Sequence, residues 1–537
     1  MTAGTVTRQR ADGPARSAGF ARVLRAEWTK FRTVRGWVIG MVVAVLAMVL
    51  VGLFAAGSAN IACRGGPGRP VKTGPACLPY IPAGPGGEAV TDSFYFVHQP
   101  LAGSGTITAR VTSLTGLHTS GNAPAGGDPL AGMHKGVVPW AKAGIIIKGS
   151  TRPGTAYAAM MVTGGHGVRM QYDYTHDIAG LPGQVSAASP RWLRLTRSGD
   201  TVTGYDSADG SHWTRVGTVT MGGLPSTVQA GPFTTSPLST VTSPFFGGAS
   251  SQTGPSQATG VFDHLSLTGR SPGGGWAGVS IGGGPDSPGT GIGAFHRAGG
   301  RYMVTGSGDI APDVTGPGSA FPTATIEDHL VGAFAGLIVV AVIAAMFITG
   351  EYRRGLIRVT LAASPRRGQL LAAKAIVIGS VTFVTGLAAS AFVVVLGTRL
   401  SRDQGLYVLP VSWLTEVRVV AGTAALLAVA AILALALGTM LRRSAAAVTA
   451  AVAAIVVPYI LGVASVLPLG AAEWLLRITP AAAFAIQQSI PQYPQVDTAY
   501  TPPAYFPLAP WAGLAVLCAW TAAALAGAAV LLRRRDA

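Results

Sequence analysis

Charge is scarce in this chain: Asp, Glu, Lys and Arg make up 11% of its 537 residues, and only three residues are cysteine. None of the six lysines, Lys30, Lys72, Lys135, Lys142, Lys148 and Lys374, follows a glycine. That excludes a Gly-Lys-Ser/Thr phosphate loop and ATP hydrolysis by that mechanism. Residues 57 to 328 contain just two glutamates, Glu88 and Glu327, both near the edges of the segment. The central aspartates of the segment, Asp173, Asp177, Asp200, Asp206, Asp209 and Asp263, sit mainly beside Gly, Ser or Tyr, a turn-capping context. Glycoside hydrolysis, which generally needs two carboxylates flanking the bond, is therefore disfavoured. His166, His176, His212 and His264 lack the helical i, i+4 spacing of a zinc motif, so no metal site is expected.

What the sequence has in place of charge is apolar length. Six stretches free of Asp, Glu, Lys and Arg approach or exceed the roughly 20 residues needed to cross a hydrocarbon core about 30 Å thick. They are 37–56, 330–349, 375–398, 419–441, 444 to about 467, and 511–532; Pro458 lies inside the fifth. The first follows a long Arg-rich lead and is longer than a signal-peptide core of roughly 7 to 15 residues, so it is read as an anchor.

The formal net charge of +17 looks suited to nucleic acid, but its placement argues otherwise. Residues 57–328 hold 16 basic and 14 acidic residues, a balance of +2, and the remaining excess flanks the apolar stretches. With a cytoplasmic N-terminus, the inside segments carry 19 Lys or Arg against four (Arg399, Arg402, Arg418 and Arg477) in the two short outer loops. This positive-inside pattern puts both termini in the cytoplasm and residues 57–328 outside a cell membrane, with no role for nucleic acid. Cys63 and Cys77 then lie in an oxidising exterior. A disulfide between them is the favoured reading, with two free thiols the alternative that spacing leaves open.

Residues 1–36 form a basic amphipathic segment, in which Phe20, Val23, Leu24, Phe31 and Val34 recur at helical spacing, as in a helix lying on the inner membrane face. Residues 57–91 are a Gly/Pro-rich external linker. Within 92–269, short alternating runs such as Thr106–Val111, Ala143–Lys148, Gly167–Tyr172, Trp192–Thr196 and Gly260–Leu267 are punctuated by turn residues, the pattern of an antiparallel β-sandwich. A Gly-rich segment, 270–328, returns the chain to the membrane region 329–537. Tyr172, Asp173, Tyr174 and His176 form the densest polar-aromatic cluster and are a candidate ligand groove, against the plainer reading of an edge strand entering a loop.

The densest local signal is Thr349-Gly-Glu-Tyr-Arg-Arg-Gly-Leu-Ile-Arg through Ser364-Pro-Arg-Arg to Lys374. It resembles the segment joining the second and third spans of ABC-2 type transporter permeases, and Ala26-Glu-Trp-Thr-Lys-Phe-Arg resembles that family's leading helix. The resemblance covers 20–56 and 326–537. It implies a six-span permease that binds no cofactor itself and works as a homodimer or heterodimer in contact with membrane lipid. A separate ABC ATPase subunit, which consumes the ATP, would dock on a short cytoplasmic helix within 350–374. Glu351, Tyr352, Arg353, Arg354, Arg358, Pro365, Arg366 and Arg367 are the coupling residues it points to, with Pro365 stopping the helix and the arginines facing acidic groups or lipid phosphates. Glu351 is expected to pair with Arg353, Arg354 or a basic residue elsewhere. The external loop 468–510 resembles the family's last outer loop, in which Glu473 and Arg477 are spaced to pair on one helix.

Ala143-Gly-Ile-Ile-Ile-Lys, Arg191-Trp-Leu-Arg-Leu-Thr and Phe262-Asp-His-Leu are similar to concanavalin A-like lectin/glucanase domains, which implies a jelly roll and a possible glycan ligand. The expected architecture is thus an α-helical six-span membrane domain with an all-β extracellular jelly-roll or β-sandwich domain inserted between spans 1 and 2. The expected function is the membrane pathway of an ATP-driven transporter, most simply an exporter. The alternative is a membrane-anchored carbohydrate-binding or sensing protein, for which six spans are excessive.

Overall fold

The structure is a computed structural model. It describes residues 19–58, 62–63, 72–73, 81–119, 133–245, 248–271, 275–282, 293–314, 323–353, 355, 367–463, 467–496 and 507–535. The Cys63–Cys77 pairing and the short helix expected after Gly355 lie outside the described side chains and residues.

Among the described residues, six helices are long and apolar enough to cross a membrane. They are α2 (Arg35–Ser58), α3 (Ala333–Arg353, preceded by a 3-10 turn at Glu327–Gly332), α4 (Arg367–Asp403), α5 (Trp413–Leu441), α6 (Ser444–Val463) and α8 (Pro510–Arg535). They match the stretches expected from composition, except that the second begins within the 3-10 turn before α3 and the fifth ends at Val463, short of its expected limit. Helix α5 is the hub: Ala424, Leu427, Ala431, Leu435 and their neighbours are fully enclosed, and it packs on α3, α4, α6 and α8. Helix α2 keeps Ile39, Leu46, Leu50 and Phe54 exposed, an apolar face suited to lipid or a second subunit.

Between α2 and α3 the chain builds an antiparallel β domain. Its strands include β1 (Val90–Asp92), β2 (Phe94–His118), β3 (Lys142–Lys148), β4 (Tyr157–Thr163), β5 (Val168–Tyr172), β6 (His176–Ala179), β7 (Arg191–Ser198), β8 (Thr201–Ser207), β9 (Thr214–Thr220), β10 (Thr227–Thr235), β11 (Ser256–Arg270), β12 (Ala277–Ile281), β13 (Arg301–Gly306) and β14 (Ile310–Pro312). The main path runs β9-β8-β7-β2-β10-β3-β4-β5-β6. The 25-residue β2 pairs through its first half with β10 and β12, and through its second half with β7 and β11. Gly103, at φ 68°, and Gly105 lie at this changeover, where one long strand serves both layers of a folded-over sheet. The sequence's all-β expectation is met in this form: a bent antiparallel sheet that folds its apolar faces together.

Strands β3 and β4 have no solvent face. Ala143, Ile145, Ile147, Ala158, Met160 and Val162 enter the main core, while Ile146, Tyr157, Ala159 and Met161 enter a second core closed by Val90, Phe94, Ile281 and Ile310. That is why both segments read as nearly unbroken apolar runs. The cover over the second core includes the antiparallel pair β1 and β14, the strands that bring the chain in from α2 and return it toward α3.

This pair is held by the two ends of β3. Lys148 Nζ donates to Asp92 Oδ2 of β1 at 2.7 Å, and Lys142 Nζ donates to Asp309 Oδ1 at 2.6 Å and to the Ile310 carbonyl at 2.7 Å. Both lysines are completely buried. Below them, Ala89, Val314, Leu409 and Ile490 form a small core joining the β domain to the loops after α4 and α7 (Leu469–Ile478). Residues 323–324 pair in parallel with 407–408, and the buried Gln495 donates from Nε2 to the Tyr174 carbonyl at 2.8 Å. The β domain and these two loops therefore occupy the same side of the helices. Gln495→Ala is expected to loosen this join by about 1 kcal/mol, the net worth of a buried neutral hydrogen bond. Faster amide exchange confined to residues 488–496 and the 173–175 turn is the expected readout; unchanged exchange there refutes the join.

Candidate functional site

On the opposite side of the helices from the β domain, α1 (Phe20–Thr33) lies across the ends of α3 and α4. Val23, Glu27 and Phe31, four residues apart on one face, are its buried residues, whereas Phe20 and Val34 remain exposed. The amphipathic helix expected from sequence thus exists, but the face it buries against protein is centred on a carboxylate. Phe31 meets Phe347 edge-on at 5.7 Å, and Val23 packs with Leu370, Ala373 and Tyr352.

Glu27 is buried because a cation meets it. Lys374, fully enclosed about two turns into α4, donates to Glu27 Oε2 at 2.6 Å and to Glu351 Oε1 at 2.7 Å. Lys30, half-buried on α1, donates to the same Glu351 oxygen and to Glu27 Oε1 at 3.2 Å. The Phe347 ring lies 4.5 Å from Lys374 Nζ, adding a cation–π contact. Two ammonium and two carboxylate groups sum to zero charge, the condition under which such burial is tolerable. Burial lowers the Lys30 pKa, but the Glu351 hydrogen bond and the charges of Glu27 and Glu351 outweigh it, leaving the ammonium above its ordinary value. The whole chain has only six lysines and six glutamates, and two of each converge here from three helices.

Chemically, the cluster is a lock. It fixes α1 to the ends of α3 and α4, so a force on α1 or on the α3–α4 connection reaches two membrane helices together. In a low-dielectric setting such a joint is stiff, because separating any partner strands a buried charge.

The sequence-predicted coupling residues distribute around this lock. Glu351 is at its centre, bonded to Lys30 and Lys374, and its pairing is made with bases on other helices. Tyr352 lies against the Val23 cluster with the Arg442 guanidinium 5.1 Å from its ring. Arg353 ends α3 and is exposed. Arg367 opens α4 and donates to the Leu532 carbonyl at 2.6 Å, capping an orphan acceptor at the end of α8. Arg354, Arg358, Pro365 and Arg366 lie outside the described residues. Sequence reasoning missed Glu27, Lys30 and Lys374 as partners. Their signals were a glutamate inside the apolar i, i+4 stripe of α1 and a lysine embedded between Leu371 and Val377.

The candidate ligand groove is divided between core and surface. Tyr174 is fully buried, with its hydroxyl 2.7 Å from Asp92 Oδ2, and its backbone φ is 60°. Asp173 accepts from the Tyr157 amide at 3.3 Å, and burial raises its pKa. Tyr172 and His176 stack face to face at 4.2 Å across the β5–β6 hairpin, with His176 exposed. On α7, Arg477 bonds Glu473 Oε2 at 3.0 Å, the pairing their spacing predicts, and donates to the Pro507 carbonyl at 2.9 Å.

The family model described as ABC-2 family transporter protein matches residues 175–537, more than half of the chain. No curated protein matches the sequence. Two solved structures of scytalido-glutamic peptidase, one with a transition state analog inhibitor and one with a peptide based transition state analog, are similar to 40% of this chain over 98% of their own length. Their identities are 11% and 12%, with TM-scores of 0.26 and 0.23. A functionally unknown protein from Saccharomyces cerevisiae matches 37% of this chain and 85% of its own, at 16% identity and a TM-score of 0.19. At these scores none of the three bears on what this chain does.

Proposed function

Since the chain belongs to the ABC-2 family of transporter proteins, we propose that it is the membrane subunit of an ATP-driven exporter, powered by a separate ATPase subunit. The observation that carries this reading is the buried Glu27–Lys30–Glu351–Lys374 lock, which ties α1, α3 and α4 at one face of the membrane domain. A helix bundle that merely anchored an external domain would have no need of a costly ionic joint on the far side. The ATPase docks on that face, against α1 and the connection between α3 and α4, and its closure upon ATP displaces the locked helix ends as one piece. Cargo crosses along the surfaces of two such subunits, whose exposed α2 faces are apolar enough to meet each other or lipid.

The face bearing α1 is cytoplasmic in this reading and the β domain is outside; the clustering of basic residues at α1, Arg442, Arg443 and Arg533 to Arg535 supports it. The chain itself binds no nucleotide.

Copurification tests the proposal. The chain, expressed with an ABC-type ATPase encoded beside it, is expected to retain that subunit in detergent and to carry ATPase activity that the permease alone lacks. Failure to retain such a subunit, with the lock intact by mass and melting behaviour, sinks the reading.

A further inference from the structure

The buried lysine at the neck of the β domain faces more than a counter-ion. Lys148 Nζ and Asp92 Oδ2 are 2.7 Å apart, and both side chains have no solvent exposure. Phe94, Tyr157 and Tyr174 surround the nitrogen, with ring centroids 6.0, 5.7 and 5.5 Å away. Besides Lys148, Asp92 Oδ2 receives the Gly154 amide and the Tyr174 hydroxyl, each at 2.7 Å. Its other oxygen, Oδ1, is buried without a hydrogen-bond partner. This asymmetry is unusual for a structural ion pair, in which both carboxylate oxygens are normally satisfied.

We propose that Lys148 and Asp92 condense into an intramolecular amide that covalently fastens β1 to β3. An ammonium and a carboxylate contain all the atoms required. One proton of Lys148 passes to the Asp92 carboxylate, and the Nζ lone pair attacks Cγ. The resulting tetrahedral oxygen is Oδ2, already held by two donors at the spacing of an oxyanion hole. Oδ1 takes a second proton from Nζ and departs as water when its bond to Cγ breaks. The product is a neutral secondary amide plus one water; no oxidant, nucleotide or second enzyme is needed.

Three features favour the step. Burial lowers the Lys148 pKa, only partly opposed by the Asp92 charge, which brings the neutral amine nucleophile within reach. The pair is held in contact by the fold, so the reaction pays no encounter cost. Condensation also abolishes two buried charges, while the product oxygen keeps its donors. Tyr174 is a positioning residue here: its hydroxyl, raised in pKa by burial and by Asp92, stays protonated as a donor.

The location gives the bond a purpose. Asp92 lies on the first strand after the linker from α2, and β1 pairs with β14, which returns toward α3. An amide from Asp92 to β3 would prevent that pair from peeling off the core when the domain is pulled or attacked by proteases at its membrane attachment.

The test is a peptide map and intact mass of the purified full chain in detergent. The expected intact mass is one water below the sequence mass, and trypsin should fail to cut after Lys148, releasing instead a branched peptide containing both Asp92 and Lys148. Lys148→Arg and Asp92→Ala should each restore the full sequence mass, and Tyr174→Phe should leave a mixture of linked and unlinked chains. Recovery of Lys148 and Asp92 only in linear peptides from the folded wild-type protein overturns the proposal, whatever the variants do.

Discussion

Lys374→Met is expected to be the most damaging conservative change in the membrane domain. The residue is completely enclosed and, together with half-buried Lys30, is one of the two cations that touch both Glu27 and Glu351. With it removed, two carboxylates that are 3% and 6% exposed face one another with only half-buried Lys30 between them. Breaking a buried ion network by deleting one partner costs about 3–5 kcal/mol, because the charges left behind have lost water and gained nothing. The variant should therefore melt well below the wild type in detergent and fail to stimulate or be driven by the ATPase. The double variant Lys374→Met with Glu27→Gln returns the cluster to neutrality and is expected to recover most of the stability. It should not recover coupling, because α1 is then no longer tied to α4. Equal melting of the wild type and Lys374→Met would mean that the cluster is not a lock.

Gly332→Val is expected to disrupt the approach of α2 to the start of α3. A Cβ at Gly332 would lie 2.0 Å from the Met48 carbonyl oxygen and 2.9 Å from the Gly52 nitrogen. Gly52 is the reciprocal contact: its Cβ would lie 2.5 Å from the His329 carbonyl oxygen. Two backbones in such contact cannot admit a side chain without separating. In a bilayer, where helices associate through close packing of small residues more than through a hydrophobic drive, there is little to offset the separation. The expected penalty is at least about 1–3 kcal/mol, seen as a loss of monodisperse protein on size exclusion. Gly336→Ala, whose Cβ would meet Met48 only at 3.4 Å, is the matched control and should behave as wild type. If the two variants behave alike, the glycine contact does not hold α2 in place.

The spans were legible because membrane crossing leaves a one-dimensional trace: length without charge. The same holds for β3 and β4, whose apolar runs follow from having no solvent face, and for the Glu473–Arg477 pair, set by one helical turn. The first half of β2 and the whole of β10 were less visible, since Gly, Pro and Gln interrupt their patterns. In the candidate site, Glu351 was found from its neighbours in sequence, whereas its partners were not. Lys30 and Lys374 are 321 and 23 residues away from it, and nothing local announces such a pairing.

The same limit applies at the neck, where Asp92, Lys148 and Tyr174 each look ordinary in their own segment: a single acid beside Ser93, the end of a strand, a polar-aromatic cluster. Sequence by itself determined that this chain has six apolar stretches long enough to cross a membrane, carries a large β-rich segment between the first two of them and gathers basic charge at one set of helix ends. Those properties are sums over local composition. Only the tertiary structure decided which of the few lysines are buried and which carboxylates they meet, because the cost of burying a charge is settled by partners that the fold brings from distant positions in the chain.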